Sequence, residues 1–155
     1  MKKILFICYG NICRSPMAEI LLNHLLRAEG LEAIATASSA ATSPYEAGMS
    51  LSGGTREVLA RHGIPLQPHH SRTATREDYA AYDEIYVMDR HNYYDSIGIF
   101  QGDPENKIHL LMNLLGEERD VADPWYTGDY EASWEDISAA CAVLVERLKK
   151  EQSRK

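Results

Sequence analysis

An unbroken apolar run, Ile4-Leu5-Phe6-Ile7, opens the chain, short and bounded as a buried strand should be. From Ser15 to about Glu29 the pattern changes period: Leu21, Leu22, Leu25 and Leu26 make one broad apolar face, which predicts a helix closed by Gly30. Ser15-Pro16 supplies its start signal, with Ser as N-cap and Pro at the first helical position. Leu31 to Ala37 reads as a second strand, weakened by its alanines. Ser38 to Gly54, rich in Ser, Gly, Ala, Thr and Pro, reads as a long loop. Thr55 to His62 predicts a short helix ended by Gly63, followed by a second loop to Arg72, and Thr75-Arg76-Glu77-Asp78 starts another helix with an acidic first turn. Asp83 to Met88 is the third strand, and Asp89 to Ile97 a helix stopped by Gly98. Lys107 to Leu111 is the fourth strand, although the apolar run after it also suits a helix. Asp120 to Ala132 is loop, and Ser133 caps a last helix whose Trp134, Ile137, Cys141, Leu144 and Leu148 fall on one face.

Strands alternating with helices imply a parallel sheet covered on both sides by right-handed crossovers. The expected architecture is a three-layer α/β domain around a four-stranded sheet. With 155 residues and neither an internal repeat nor a low-complexity linker, one domain spanning 1–155 is expected. A formal charge of −7 argues against nucleic acid as a partner. No apolar run approaches the ~20 residues a membrane span needs, and the short run after Lys2-Lys3 does not make a secretory leader, so no membrane partner is expected. Three cysteines argue for a reducing compartment, and the expected location is cytoplasmic.

Between the first strand and the first helix lies Cys8-Tyr9-Gly10-Asn11-Ile12-Cys13-Arg14. A loop curled at a helix N-terminus aims several backbone N–H groups at one point and binds an anion there. Cys8 leaves the strand at the floor of that bowl, where the same field favours a thiolate. Arg14 adds a planar fork suited to two oxygens of a tetrahedral oxyanion. Gly10 and Asn11 are residue types that tolerate left-handed backbone. The reading is a phosphate cradle with a nucleophile at its floor. No Walker A or G-x-G-x-x-G pattern occurs in the loop, so it gives nucleotide binding no support.

The full string C-x-G-N-I-C-R-S-P, from Cys8 to Pro16, resembles the phosphate-binding loop of the low molecular weight protein tyrosine phosphatases. The resemblance implies strand order 2-1-3-4, no cofactor or metal, and hydrolysis of phosphotyrosine through a cysteinyl phosphate. Asp123-Pro124-Trp125-Tyr126 is similar to the D-P-[YW]-Y motif that carries the family's general acid, which implies that role for Asp123. Ser38-Ser39-Ala40-Ala41-Thr42 is similar to D-S-A-[AG]-T, whose Ser bonds the loop Asn; Ser38 departs from that pattern where the family has Asp. A family His joins the same network, and His69 and His70 both lie near its place. Met88-Asp89 matches the family's M-D, with Asp89 a structural partner of the loop.

By position, Ser15 donates to the Cys8 sulfur besides capping the helix, and Asn11 pins the loop. Tyr9, Ile12, Tyr45, Trp125 and Tyr126 are the expected walls for an aryl ring. Cys13, in the rim, is either a packing residue or a resolving thiol for oxidised Cys8. Asp120 and Asp129 are read as solvated loop acids, and Cys141 as inert core. Expected partners are phosphotyrosine proteins or small aryl phosphates, with inorganic phosphate and vanadate as inhibitors. Two other chemistries share such a loop. Protein arginine phosphatases carry Thr where this chain has the apolar Ile12. Phosphocysteine carriers of sugar transport need neither Arg14 nor a leaving-group acid.

Overall fold

The computed structural model describes residues 1–154. Strands β1 (Lys2–Cys8), β2 (Ala35–Ala41), β3 (Glu84–Val87) and β4 (Ile108–Leu110) form one sheet in the order β2-β1-β3-β4. All three pairings are parallel, as expected. Helices α1 (Arg14–Ala28), α2 (Gly53–Arg61), α3 (Asp78–Ala81), α4 (Arg90–Phe100), α5 (Pro124–Thr127) and α6 (Tyr130–Ser153) complete the chain, with a 3₁₀ turn at Leu111–Leu115. The architecture is a single α/β domain.

The sheet's two faces divide the apolar run of β1 by its period of two. Ile4, Phe6 and Cys8 join a core with Leu22 and Leu26 of α1 and Ile137, Leu144 and Leu148 of α6. Leu5 and Ile7 join the opposite core with Ile85, Val87 and Phe100, under α3 and α4. Each of residues 4–7 is fully buried, and burial of such a side chain contributes roughly 1.5–3 kcal/mol. This central strand therefore anchors both layers, and its carboxyl end delivers Cys8 to one edge of the sheet.

Several boundaries differ from the sequence reading, each for a local reason. The second strand starts four residues late: Ile34 and Ala35 donate backbone bonds to the Leu31 carbonyl, so Leu31 closes a turn and its side chain fills the core from there. The strand then runs through Ala41, into the predicted loop. Asn23 of α1 donates to the Ala37 carbonyl at 3.0 Å and accepts from the Ala37 N–H at 3.0 Å, covering part of this edge strand. In α4, Gly98 does not stop the helix; Gln101 does, at φ 60°. The helix expected from Thr75 is reduced to the four residues of α3, and the apolar run after β4 forms the 3₁₀ turn. Asp129, not Ser133, caps α6, accepting from the Ala132 N–H at 2.9 Å. The predicted loop from Asp120 also holds α5, capped by Asp123. No described helix is long and apolar enough to cross a membrane.

Candidate active site

The loop after β1 is built around its own sulfur. Cys8 is 3% exposed, and its Sγ lies 3.0 Å from Ser15 Oγ, 3.2 Å from the Asn11 N–H nitrogen and 3.5 Å from that of Ser15. Such converging donors are the surroundings an anionic sulfur needs. Helix α1 starts earlier than predicted, after Cys13 as N-cap with no side-chain cap bond. Ser15 is therefore inside the helix, and its hydroxyl is turned to Cys8 and to Asn11 Nδ2. The expected capping role is lost, and the contact with sulfur is present.

Asn11 holds the loop's shape. It is the loop residue in left-handed backbone, at φ 57°. Its Nδ2 donates to Ser15 Oγ and Ser39 Oγ, each at 2.8 Å, and its Oδ1 accepts from the Arg72 N–H at 3.1 Å. Its carbonyl accepts from His69 Nε2 at 2.7 Å, which settles the choice between the two histidines and places the proton on Nε2. His70 is turned to the Gly48 carbonyl instead. Gly10 does not use positive φ. Its lack of a side chain makes room for Glu46, since a Cβ there would lie 3.3 Å from Glu46 Cδ. The Gly10 carbonyl accepts from Ser71 Oγ at 2.7 Å. Sequence reasoning missed Ser71, Arg72 and Glu46; nothing in their local pattern sets them apart from ordinary loop residues.

Arg14, the first residue of α1, is 2% exposed. Its Nη1 donates to Asp89 Oδ2 at 2.8 Å and to the Val121 carbonyl at 2.7 Å, and Nη2 reaches Asp123 Oδ2 at 3.4 Å. Burial works against its charge, but the negative charges at Cys8, Asp89 and Asp123 outweigh it and raise its pKa. Asp89 also caps α4 through the Asn92 N–H at 2.8 Å, so one carboxylate fixes both a helix start and the guanidinium. Asp123 caps α5, accepting from the Trp125 N–H at 3.0 Å with Oδ1 while Oδ2 faces Arg14.

Together these groups enclose a cavity of ≈ 100 Å³. Cys8, Tyr9, Gly10, Ile12, Cys13 and Arg14 line it from the loop side, with Asp123, Trp125 and Tyr126 from the α5 side. Trp125 and Tyr126 stand 62% and 81% exposed at the mouth, available to an incoming ring. Asn11 and Ser15, expected among the substrate-binding residues, sit fully buried behind the wall and act on Cys8 instead. Tyr45, expected as a wall, is 83% exposed and belongs to a neighbouring groove; Glu46 takes its place. One Glu46 carboxylate oxygen is shut off from solvent with no partner in the protein. Such an atom carries an unmet desolvation cost until a donor arrives.

Cys13 Sγ lies 3.3 Å from Ser52 Oγ and 3.6 Å from the Tyr130 hydroxyl. Burial pushes its thiol pKa up, against the pull of those two hydroxyls. Tyr130 reaches it across Gly54, where a Cβ would collide with the tyrosine ring. Cys141 is fully buried in the core, its pKa pushed up to about 12. No His, Cys, Asp or Glu cluster among the described residues has a metal-holding arrangement.

A buried sulfur under converging donors, a pre-oriented guanidinium and a facing carboxyl form a set suited to transferring a tetrahedral oxyanion. Comparison with known proteins gives that set a family. The family model described as low molecular weight phosphotyrosine protein phosphatase matches residues 3–154. The low molecular weight protein-tyrosine-phosphatase YfkJ of Bacillus subtilis is 33% identical over 154 residues, covering 98% of this chain and 99% of that protein. The human low molecular weight phosphotyrosine protein phosphatase is 32% identical over 153 residues, covering 94% and 95%. The crystal structure of YfkJ superposes with a TM-score of 0.92 over 97% of this chain and 96% of that one. Wzb of Vibrio vulnificus, solved in complex with benzylphosphonate, is 25% identical with a TM-score of 0.82, over 94% and 98%. Sequence and fold agree along nearly the whole chain, and it belongs to the low molecular weight phosphotyrosine protein phosphatase family.

Proposed function

We propose that this protein hydrolyses phosphotyrosine monoesters through a cysteinyl phosphate on Cys8. The observation that carries the reading is the placement of Cys8, Arg14 and Asp123 around one small cavity with an aromatic mouth. The Cys8 thiolate attacks phosphorus, an S–P bond forms, and the P–O bond to tyrosine breaks. Asp123 gives its proton to the departing phenolate oxygen. It then takes a proton from water as that water attacks phosphorus, breaking the S–P bond and returning the thiolate and inorganic phosphate. Arg14 and the loop amides carry the charge of the transferring phosphoryl group. The benzylphosphonate complex of the Vibrio vulnificus relative supports an aryl-bearing phosphoryl ligand in the equivalent cavity. Phosphate and vanadate, sharing the tetrahedral oxyanion chemistry, are the expected inhibitors. Three free cysteines suit a reducing, cytoplasmic setting.

Two details favour tyrosine hydrolysis over its alternatives. Ile12 is 7% exposed and presents hydrocarbon to the cavity, which suits an aryl edge better than a guanidinium. A carrier module would have no use for Asp123 opposite Cys8. The test is hydrolysis of phosphotyrosine, phosphoserine and phosphoarginine peptides by the purified protein without added metal. Cleavage of the phosphotyrosine peptide is expected to dominate; faster phosphoarginine cleavage, or a stable phosphocysteine without turnover, would reject the reading.

For Arg14, lysine is the instructive replacement, because it keeps the charge and loses the fork. Nη1 is committed to Asp89 and Val121, so the Nε/Nη2 edge is the part left for two phosphate oxygens. Arg14→Lys should lower kcat/KM and phosphate affinity by about tenfold to hundredfold, the worth of one charge-assisted hydrogen bond. Wild-type values in both would show that bidentate contact is not used.

Cys13 is the candidate to protect Cys8. Peroxide converts the Cys8 thiolate to S–OH; attack by Cys13 sulfur then forms the S–S bond and releases water. Since burial holds Cys13 as a thiol, trapping should quicken as pH rises and its thiolate becomes populated. Wild-type protein treated briefly with peroxide should recover with added thiol, whereas Cys13→Ser should not. Equal recovery would return Cys13 to a packing role.

A further inference from the structure

Beside the small cavity, on the other side of Tyr9, lies a more open groove of ≈ 520 Å³. This size falls within the about 300–1,000 Å³ usual for ligand sites. Tyr9 lines both cavities, so the groove continues the mouth of the phosphate site. Its walls are Ser43, Pro44 and Tyr45 from the loop after β2, and Tyr94, Asp95 and Ile99 from α4. Tyr45 and Tyr94 are 83% and 71% exposed, and Tyr9 42%. Three solvated rings along one channel form an amphipathic surface that recognises polypeptide better than a small phosphate ester.

The charge on this surface is of one sign. Asp95 is exposed and has no cationic partner among the described residues. Glu46, next to Tyr45 in the chain, faces the phosphate cavity with a carboxylate oxygen that lacks a donor. Two acids without cations thus flank Tyr9, one toward each cavity. Resting on the phosphotyrosine reading above, we infer that this groove binds the polypeptide flanking the phosphotyrosine and selects substrates with lysine or arginine beside it. The basic side chain pairs with Asp95 across the tyrosine rings, where cation–π contact adds to the ion pair. An acidic flank would meet like charge in the same place.

The test uses phosphotyrosine peptides differing only in Lys, Ala or Glu at the positions on either side, with para-nitrophenyl phosphate as a substrate that has no flank. At low salt the Lys peptides should exceed the Ala peptides in kcat/KM by about two- to fivefold per exposed pair, and the advantage should shrink as salt screens it. Asp95→Asn should abolish that advantage and Asp95→Lys reverse it toward Glu peptides, both leaving para-nitrophenyl phosphate turnover unchanged. Glu32→Gln controls for overall charge: Glu32 is exposed in the turn before β2, at the amino end of the strands, away from the Cys8 end. If Glu32→Gln shifted the preference as much as Asp95→Asn, or wild-type protein favoured acidic flanks, the groove would not be the reader. Cleavage of para-nitrophenyl phosphate with no discrimination among peptides overturns the groove alone. Failure to cleave any of these compounds overturns the phosphatase reading as well.

Discussion

Cys8→Ser is expected to abolish turnover while leaving the oxyanion site able to bind. Serine keeps the shape and can keep the contact with Ser15 Oγ, now 3.0 Å from sulfur, but its hydroxyl is not an anion at neutral pH. The rest of the cradle does not depend on sulfur: Arg14 remains held by Asp89 and Val121, and Asn11 by Ser39, Arg72 and His69. Binding should therefore be visible as a rise in thermal midpoint with added phosphate or vanadate. A ligand at a hundred times its Kd stabilises by about 2.7 kcal/mol. Substantial hydrolysis by the serine variant would remove covalent catalysis through this residue.

Asp123→Asn should slow cleavage in proportion to how badly the leaving group needs a proton. Tyrosine's phenol has a pKa of about 10, so phosphotyrosine cleavage should fall by about 10²–10⁴-fold, the usual worth of a general acid. An aryl phosphate with a much more acidic phenol can lose its anion directly and should suffer far less. The alkaline limb of the rate profile, which reports loss of the Asp123 proton, should flatten. Asparagine is a suitable replacement because it caps helices as well as aspartate, so the bond from the Trp125 N–H and the placement of the two mouth aromatics are retained. The neighbouring acids serve as controls, though not as the free loop acids their sequence suggests. Asp129 caps α6 and Asp120 accepts from the Arg90 N–H at 3.0 Å. Their asparagine variants should leave the leaving-group dependence intact. Equal slowing of both substrates by Asp123→Asn would move the search for the acid to them.

What the sequence made legible is what a local string can encode. The loop from Cys8 to Arg14 combines a strand exit, a left-handed position and a helix start within a few residues, and each has its own signal. Strand order followed from the resemblance, and the sheet agrees with it. Misplaced features depend on distant contacts. Ser15 carries the signature of an N-cap, but its hydroxyl is captured by Cys8 and Asn11, so the helix begins before it. Leu31 looks like the start of a strand because it is apolar, yet it is buried from a turn. Tyr45 and Glu46 are adjacent, and nothing in their sequence says which enters the cavity. The loop's path decides it, fixed by bonds such as the Gly48 N–H to the Ser71 carbonyl at 2.8 Å.

The network around Asn11 also bears on how the protein comes into being. The loop is among the first segments to be synthesised, but its fastenings lie far away along the chain. His69 is 58 positions from Asn11, Asp123 is 109 from Arg14, and Tyr130 is 117 from Cys13. A nascent chain that ends before residue 72 has Cys8 and Arg14 but not the clamps that hold the loop in shape, and parallel pairing of distant strands is slow to form. At a synthesis rate of about 5–20 residues per second, the thiol spends several seconds as an ordinary flexible cysteine before the last clamp emerges. Reactivity toward oxyanions is thus withheld until the chain is nearly complete.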